Sequence, residues 1–173
     1  MATPTPELAS QVLLEQLEIV WGFAERFVLP QIDIPLCTWE PSENTVTVHQ
    51  HGDQWSADWP EEELLPLGEA TVGWLLWHID WWWGNAVRAC RGSDQVAPQE
   101  HLWGGSVTSI RASKEEWEQV LRSTPLESAV TDLMPEERPL WFVAGWVNFE
   151  LTKNISEIGQ LIIRRANVLH SCD

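Results

Sequence analysis

The hydrophobic pattern at the start of the chain predicts an amphipathic helix. Apolar residues recur at three- and four-residue spacing from Leu13 to Phe27, and glutamates occupy the opposite side. Thr5 and Pro6 form a helix-start signal, because threonine is a good N-cap and proline is tolerated at the first helical position. We expect this helix to end near Pro30.

The stretch that follows, residues 30–68, contains five prolines, which argues against a second long helix there. Alternating, β-branched residues from Thr45 to His49 are typical of a short strand or hairpin arm. Residues 58–63 are expected to form a solvated acidic turn. The sequence therefore predicts an irregular, proline-rich connection between the first two helices.

Three further helical stretches complete the pattern. Residues 69–91 are apolar on nearly every side, as expected for a helix that its neighbours bury. Two capping boxes, at 113–116 and 124–127, predict a third stretch in two pieces broken at Pro125. A last long helix is expected from Pro139 to about Leu169. Four principal helices without a sustained strand pattern predict a single all-α domain, a helical bundle, over residues 1–173.

The charge of the chain narrows the classes of partner. Ten basic residues face 26 acidic ones, which gives a formal net charge of −16. Binding to nucleic acid needs clustered lysine and arginine, so we expect no nucleic acid partner.

The apolar stretches fall well short of a membrane span and the N-terminus does not resemble a signal peptide, so we expect a cytoplasmic protein with no membrane partner. Three widely spaced cysteines match neither a disulfide framework nor a metal knuckle.

His78 is the first candidate for a functional role. Helical spacing places Trp74 and Trp82 beside it. Its imidazole is therefore either a hydrogen-bonded core histidine or a ligand that faces a cavity. Asp80 lies on another side of the same helix, where a carboxylate needs a partner or a polar opening.

A polar stripe on the last helix is the second candidate. Glu150, Lys153, Glu157 and Arg164 lie along one side of that helix, and Trp146 is in line with them. The stripe either faces solvent or turns toward the interior of the bundle, where its charges become site residues. A purely solvent-exposed side would not usually carry the tryptophan.

Two segments of the chain resemble the DinB-like superfamily of four-helix-bundle metalloenzymes, which includes mycothiol-dependent maleylpyruvate isomerase-like proteins. They are TVGWLLWHID at 71–80 and VNFELTKNISEIGQL at 147–161. A third similarity, to a tryptophan-bearing segment of actinobacterial members, lies in Trp55, Asp58 and Trp59. The resemblance implies a DinB-like four-helix bundle in which three side chains hold a divalent metal, zinc or nickel. Some members use that metal to activate a low-molecular-weight thiol, such as mycothiol or bacillithiol, for isomerisation or S-transfer.

The implied ligand set is altered in this chain. His78 matches the histidine of the second helix, but the pair of ligands on the last helix falls on Lys153 and Glu157. The adjacent histidine of many members falls on Asn154. An ammonium group offers no lone pair, and His78 with Glu157 leaves fewer than the three ligands that catalytic zinc takes from protein. We therefore expect a vestigial site without tight metal binding and no cofactor.

Two functions remain open. The first is a DinB-like protein with a degraded metal site that binds a small anionic or aromatic ligand without metal catalysis. Its pocket is expected to include His78, Lys153, Glu157, Trp74, Trp82, Glu150 and Asn154. The ammonium of Lys153 would sit between His78 and Glu157, either holding an anionic ligand in an open pocket or completing a buried salt bridge in a filled one.

The second function is a metal-dependent low-molecular-weight-thiol S-transferase or isomerase, with zinc or nickel on His78 and Glu157. A further alternative completes that ligand set with His49 and His51, if the hairpin arm folds over the mouth of the bundle. Whether the chain is an enzyme stays open, and no catalytic residue is assigned. The chain has 13 tryptophans, and one or two of them are candidates for a pocket wall or the seam of a homodimer.

Overall fold

A computed structural model describes residues 6–59 and 69–171 of the chain. Its helices are α1 (Pro6–Phe23), α2 (Ile34–Cys37), α3 (Val72–Cys90), α4 (Thr108–Ser123) and α5 (Leu140–His170). Short strands connect them: β1 (Thr45–Val46), β2 (Val48–His51), β3 (Gln54–Ala57), β4 (Glu69–Ala70), β5 (Ala129–Val130) and β6 (Arg138–Pro139). The all-α prediction is confirmed, because the strands form only two-stranded sheets at the ends of the helices.

The four long helices pack as a bundle. α1 packs against α5 and α4, and α3 packs against α4 and α5. The core between them is rich in indole rings, and four tryptophans are almost completely buried: Trp77, Trp83, Trp103 and Trp117. None of the helices in the described ranges has the length and apolar character needed to cross a membrane.

The first helix and the connection after it follow the sequence closely. α1 continues through a π-helical turn, Ala24–Val28, and a 3-10 turn, Leu29–Gln31, so that the helical path ends beside Pro30 as predicted. The segment predicted as a short strand or hairpin arm, Thr45 to His49, is divided between β1 and β2, and β2 pairs with β3 in an antiparallel hairpin. Thr5 and residues 60–63 lie outside the described residues, so the predicted N-cap and most of the predicted acidic turn are not described.

The prediction for the second helix was wrong at its start. Glu69 and Ala70 form β4, which pairs in parallel with β1, and the helix begins only at Val72. Thr71 caps it, since the Trp74 amide donates a hydrogen bond of 3.1 Å to the Thr71 hydroxyl. Gly73 allows a close approach, because a Cβ there would lie 2.7 Å from the Cys37 carbonyl oxygen. The start of α3 is thereby fixed against α2 and the hairpin.

The prediction of a third helix in two pieces was also wrong. α4 begins at Thr108, so the capping box at 113–116 lies inside it, and residues 124–128 form no helix. The carbonyls of Leu126 and Ser128 instead accept hydrogen bonds from the amides of Trp141 and Leu140. This segment therefore hydrogen-bonds to the first residues of α5 and does not continue α4. The last helix, predicted from Pro139 to about Leu169, is confirmed.

Candidate functional site

A cavity of about 360 Å³ opens between α3 and α5. Its size is at the lower end of the usual range for small-molecule sites. Residues of both helices and of two connecting segments line it: His78, Trp81, Trp82, Asn85, Gln95, Leu133, Trp146, Glu150 and Lys153.

His78 lies between aromatic rings at this cavity. Its ring is nearly parallel to that of Trp74, with ring centroids 4.9 Å apart, and it also stacks on Trp59. Burial, together with the smaller effect of the positive charge of Lys153, lowers the pKa of the imidazole to about 4. The ring is therefore neutral at physiological pH. Its Nδ1 atom is buried and has no hydrogen-bond partner among the described residues.

Lys153 forms an ion pair at the wall of the cavity. Its Nζ lies 2.6 Å from Oε2 of Glu150, one turn earlier on α5. The Glu150 side chain is only 15% exposed, whereas that of Lys153 is 50% exposed. The Glu150 carboxylate is thus more deeply buried than the Lys153 ammonium group. Both side chains line the cavity.

The seven residues predicted for the pocket do not all line it. His78, Trp82, Glu150 and Lys153 lie on its wall, but the other three do not. Trp74 stacks on the His78 ring, and its indole N–H donates a hydrogen bond of 2.7 Å to the Asp58 carbonyl. Asn154 is buried, with an amide nitrogen that has no partner among the described residues.

Glu157 lies further along α5, outside the residues that line the cavity, and its side chain is partly exposed. Partial burial of its carboxyl group raises its pKa, and the charge of Lys153 opposes that rise. The described contacts pair Lys153 with Glu150 and not with Glu157. Among these contacts Lys153 forms an i,i+3 pair with Glu150 beside an open cavity. Its charge also acts on His78 and Glu157, and its position between those two residues stays a prediction.

Sequence reasoning missed part of the wall. Asn85 bonds to the backbone of Val96 in both directions, at 2.9 Å each, and the same Val96 carbonyl accepts the indole N–H of Trp81. An asparagine inside an apolar helix was a usable signal, since such an amide needs partners. Gln95 and Leu133 lie in connecting segments that show no periodic pattern, so no sequence signal indicated them.

Two other predicted features have partners away from this cavity. Asp80 lies 2.9 Å from His101, which supplies the partner that a buried carboxylate requires. His49 contacts Asp58 at 2.7 Å, and His51 contacts Ser56. Both hairpin histidines are thus engaged within the hairpin and the residue that follows it, and the contacts do not support the alternative that adds them to His78.

Cys37 and Cys90 are poor nucleophiles. Burial raises the pKa of the Cys37 thiol to about 12 and that of Cys90 to about 11. A thiolate is the reactive form, so neither side chain is activated at neutral pH. Cys172 lies outside the described residues.

The comparison with known proteins identifies the family. The sequence model of the DinB superfamily matches residues 36–158, which include His78 and Lys153. The chain belongs to the DinB superfamily. No curated protein and no solved structure matches it at a significant level. Family membership therefore supports the fold, and it leaves the activity of this DinB superfamily chain to be inferred from its own residues.

The divalent metal that the resemblance implies does not suit the side chains of this DinB superfamily chain. Lys153 occupies one of the three implied ligand positions, and its ion pair with Glu150 is the contact of an ammonium group, which has no lone pair to give. Within residues 6–59 and 69–171, His, Cys, Asp and Glu side chains form no group of three or more that could hold a metal ion. We therefore derive no chemical step through a metal at this cavity.

Proposed function

We propose that this DinB superfamily protein has a degraded metal site and uses the cavity at His78 to bind a small anionic or aromatic ligand without a metal. The observation that carries the proposal is the Lys153–Glu150 ion pair on the cavity wall. A charged amine of the protein takes the position of a metal ligand, and open space remains beside it.

The aromatic part of the proposal rests on the indole walls. Trp81, Trp82 and Trp146 line the cavity, and Trp82 and Trp146 meet edge to face with ring centroids 5.6 Å apart. A planar ligand entering between such rings gains apolar burial and favourable ring contacts.

The anionic part rests on Lys153. Its ammonium group is half-exposed at the cavity, so it can contact a ligand carboxylate while it still touches Glu150. Because Glu150 already neutralises much of this charge, we expect the aromatic ring to contribute more binding free energy than the anionic group. A ring that carries one acidic group combines both contributions.

The competing function is the metal-dependent thiol S-transferase or isomerase. One observation favours it: the imidazole of His78 is neutral and its Nδ1 lacks a partner among the described residues, as a free ligand would. The contacts of Lys153 weigh against it, since only His78 and Glu157 then remain as donors. Metal analysis separates the two functions and is taken up in the Discussion.

Ligand binding can be tested with benzoate as the probe, followed by the indole N–H resonances of isotope-labelled protein. We expect saturable shifts for the tryptophans of the cavity and a Kd at least about fivefold higher in Trp146→Ala, because the variant removes one indole wall. Benzyl alcohol and acetate separate the two contributions, and the alcohol is expected to bind more tightly than acetate.

Trp141→Ala is the matched control, because Trp141 is an exposed tryptophan on the same helix and does not line the cavity. It is expected to bind benzoate as the wild type does. Benzoate that shifts no cavity indole, or that binds equally well to the Trp146→Ala protein, contradicts the proposed function.

A further inference from the structure

A second cavity, of about 370 Å³, lies on the other side of α3. It is formed between α3 and α4, and none of the residues around it belongs to the cavity at His78. Its polar lining includes Asp80, Arg88, Arg91, His101, Ser109 and Ser113. In a chain with net charge −16, two arginines and a histidine thus lie in one cavity, together with the carboxylates of Asp80 and Glu116.

Arg88 differs from nearly every other cation of the chain. All ten lysines and arginines fall within the described ranges, and eight of them form ion pairs. Arg26 lies over the ring of Phe27. Arg88 has neither kind of contact among the described residues, although it is partly buried and acidic residues are in large excess. A partly buried guanidinium group without a carboxylate is available to an anionic ligand.

The acidic residues of this cavity are already engaged. Asp80 lies 2.9 Å from His101, and Glu116 lies 2.6 Å from Arg91. Each of these carboxylates therefore has a partner other than Arg88, and Arg88 itself contacts no carboxylate among the described residues.

Two further features favour an anion beside Arg88. The Ser109 hydroxyl is buried and has no partner among the described residues, and a rotation about its Cα–Cβ bond would turn this donor toward a ligand oxygen in the cavity. Ser109 also lies in the first turn of α4, where the helix dipole favours negative charge.

A glycine inside α3 accommodates the guanidinium group, since a Cβ at Gly84 would lie 3.3 Å from Nη1 of Arg88. Glycine inside a helix is unfavourable and needs such a reason.

We propose that the cavity between α3 and α4 is a second binding site, which takes a small molecule bearing a carboxylate or phosphate group. The guanidinium group of Arg88 forms an ion pair with the anionic group of the ligand, and the Ser109 hydroxyl donates a hydrogen bond to it. The volume leaves room for a small organic body beyond the anionic group. This site is independent of the ligand proposed at His78, so either proposal can fail while the other stands.

Titration of the full chain with inorganic phosphate and, separately, with malonate tests the site at constant ionic strength. The side-chain Nε–H resonance of Arg88 and the amide resonances of Ser109 and Ser113 report on binding. We expect saturable shifts with at least one of these anions, and the anion that binds more tightly identifies the chemistry as phosphate or carboxylate. In Arg88→Gln the Kd is expected to rise roughly tenfold or more, because a charged hydrogen bond is lost.

Arg122→Gln is the matched control, since Arg122 is an exposed arginine of α4 that pairs with Glu118 and does not line the cavity. It is expected to leave the Kd unchanged. Ser109→Ala keeps the arginine and removes the hydroxyl donor, so it should also weaken binding, and it tests the site even if Arg88→Gln fails to fold. The proposal is overturned if neither anion produces saturable shifts, or if Arg88→Gln or Ser109→Ala binds as tightly as the Arg122→Gln protein.

Discussion

Replacing Lys153 with histidine is expected to create a zinc site where the native chain has none of high affinity. The substitution restores a neutral nitrogen donor at the altered position, opposite His78 and one turn before Glu157. His78 is already neutral, because burial and the charge of Lys153 keep its pKa near 4, and the substitution removes that repelling charge. A third protein ligand completes the set that zinc usually takes, so we expect the affinity for zinc to rise by about 100-fold.

Competition with a zinc-binding dye measures this affinity. Lys153→Gln is the matched control, because it also removes the ammonium group but supplies no imidazole, and it should gain little affinity. Adding Glu157→Gln to Lys153→His should reverse most of the gain if Glu157 completes the site. If Lys153→His and Lys153→Gln bind zinc equally, the position is not the one at which the metal site was lost.

Acid is expected to destabilise the fold through His78. Its folded-state pKa of about 4 lies below the ordinary value of 6.5, so the unfolded chain binds the proton more tightly. The stability contributed by the neutral ring is present above about pH 6.5 and is lost as the pH falls toward 4. A difference of this size corresponds to a loss of about 2 kcal/mol from the free energy of unfolding between about pH 7 and about pH 5.

Urea unfolding in the presence of a chelator, at a series of pH values, gives this loss. Other carboxyl groups also titrate, so the test is the difference between the wild type and His78→Gln, in which the ring is gone. His170→Gln serves as the control, since His170 is an exposed histidine at the end of α5. We expect His78→Gln to lose about 2 kcal/mol less than the wild type over this range, and His170→Gln to follow the wild type. Equal pH dependence in all three proteins would show that His78 does not carry the acid sensitivity.

The long helices were predictable because their patterns are local. Residues 72–90 form a helix in which nearly every position is apolar, and the order of the four long helices follows from such patterns alone. The two errors in the predicted helix boundaries, at residues 69–70 and 124–128, have a non-local cause. Glu69 and Ala70 pair with a strand more than 20 residues earlier, and the segment 124–128 is held by the backbone of α5. Capping boxes report local preference, which tertiary hydrogen bonds can override.

Only part of the candidate site was predictable from the sequence. His78 and Lys153 could be placed through their similarity to the family, and both line the cavity. The choice of Glu150 over Glu157 as the partner of Lys153 could not be predicted, because both lie one turn away and side-chain packing decides between them. Gln95 and Leu133 reach the cavity from connecting segments, where sequence carries no periodic information.

The most direct test of the proposed ligand site is the metal content of the native chain. The protein would be expressed with zinc and nickel in the medium, purified without chelators and analysed by elemental mass spectrometry beside His78→Ala. Because an ammonium group occupies the position of a ligand, we predict far less than one metal ion per chain, with the same trace in both proteins. One zinc or nickel ion per wild-type chain that disappears in His78→Ala would contradict the account and establish the metal-dependent alternative.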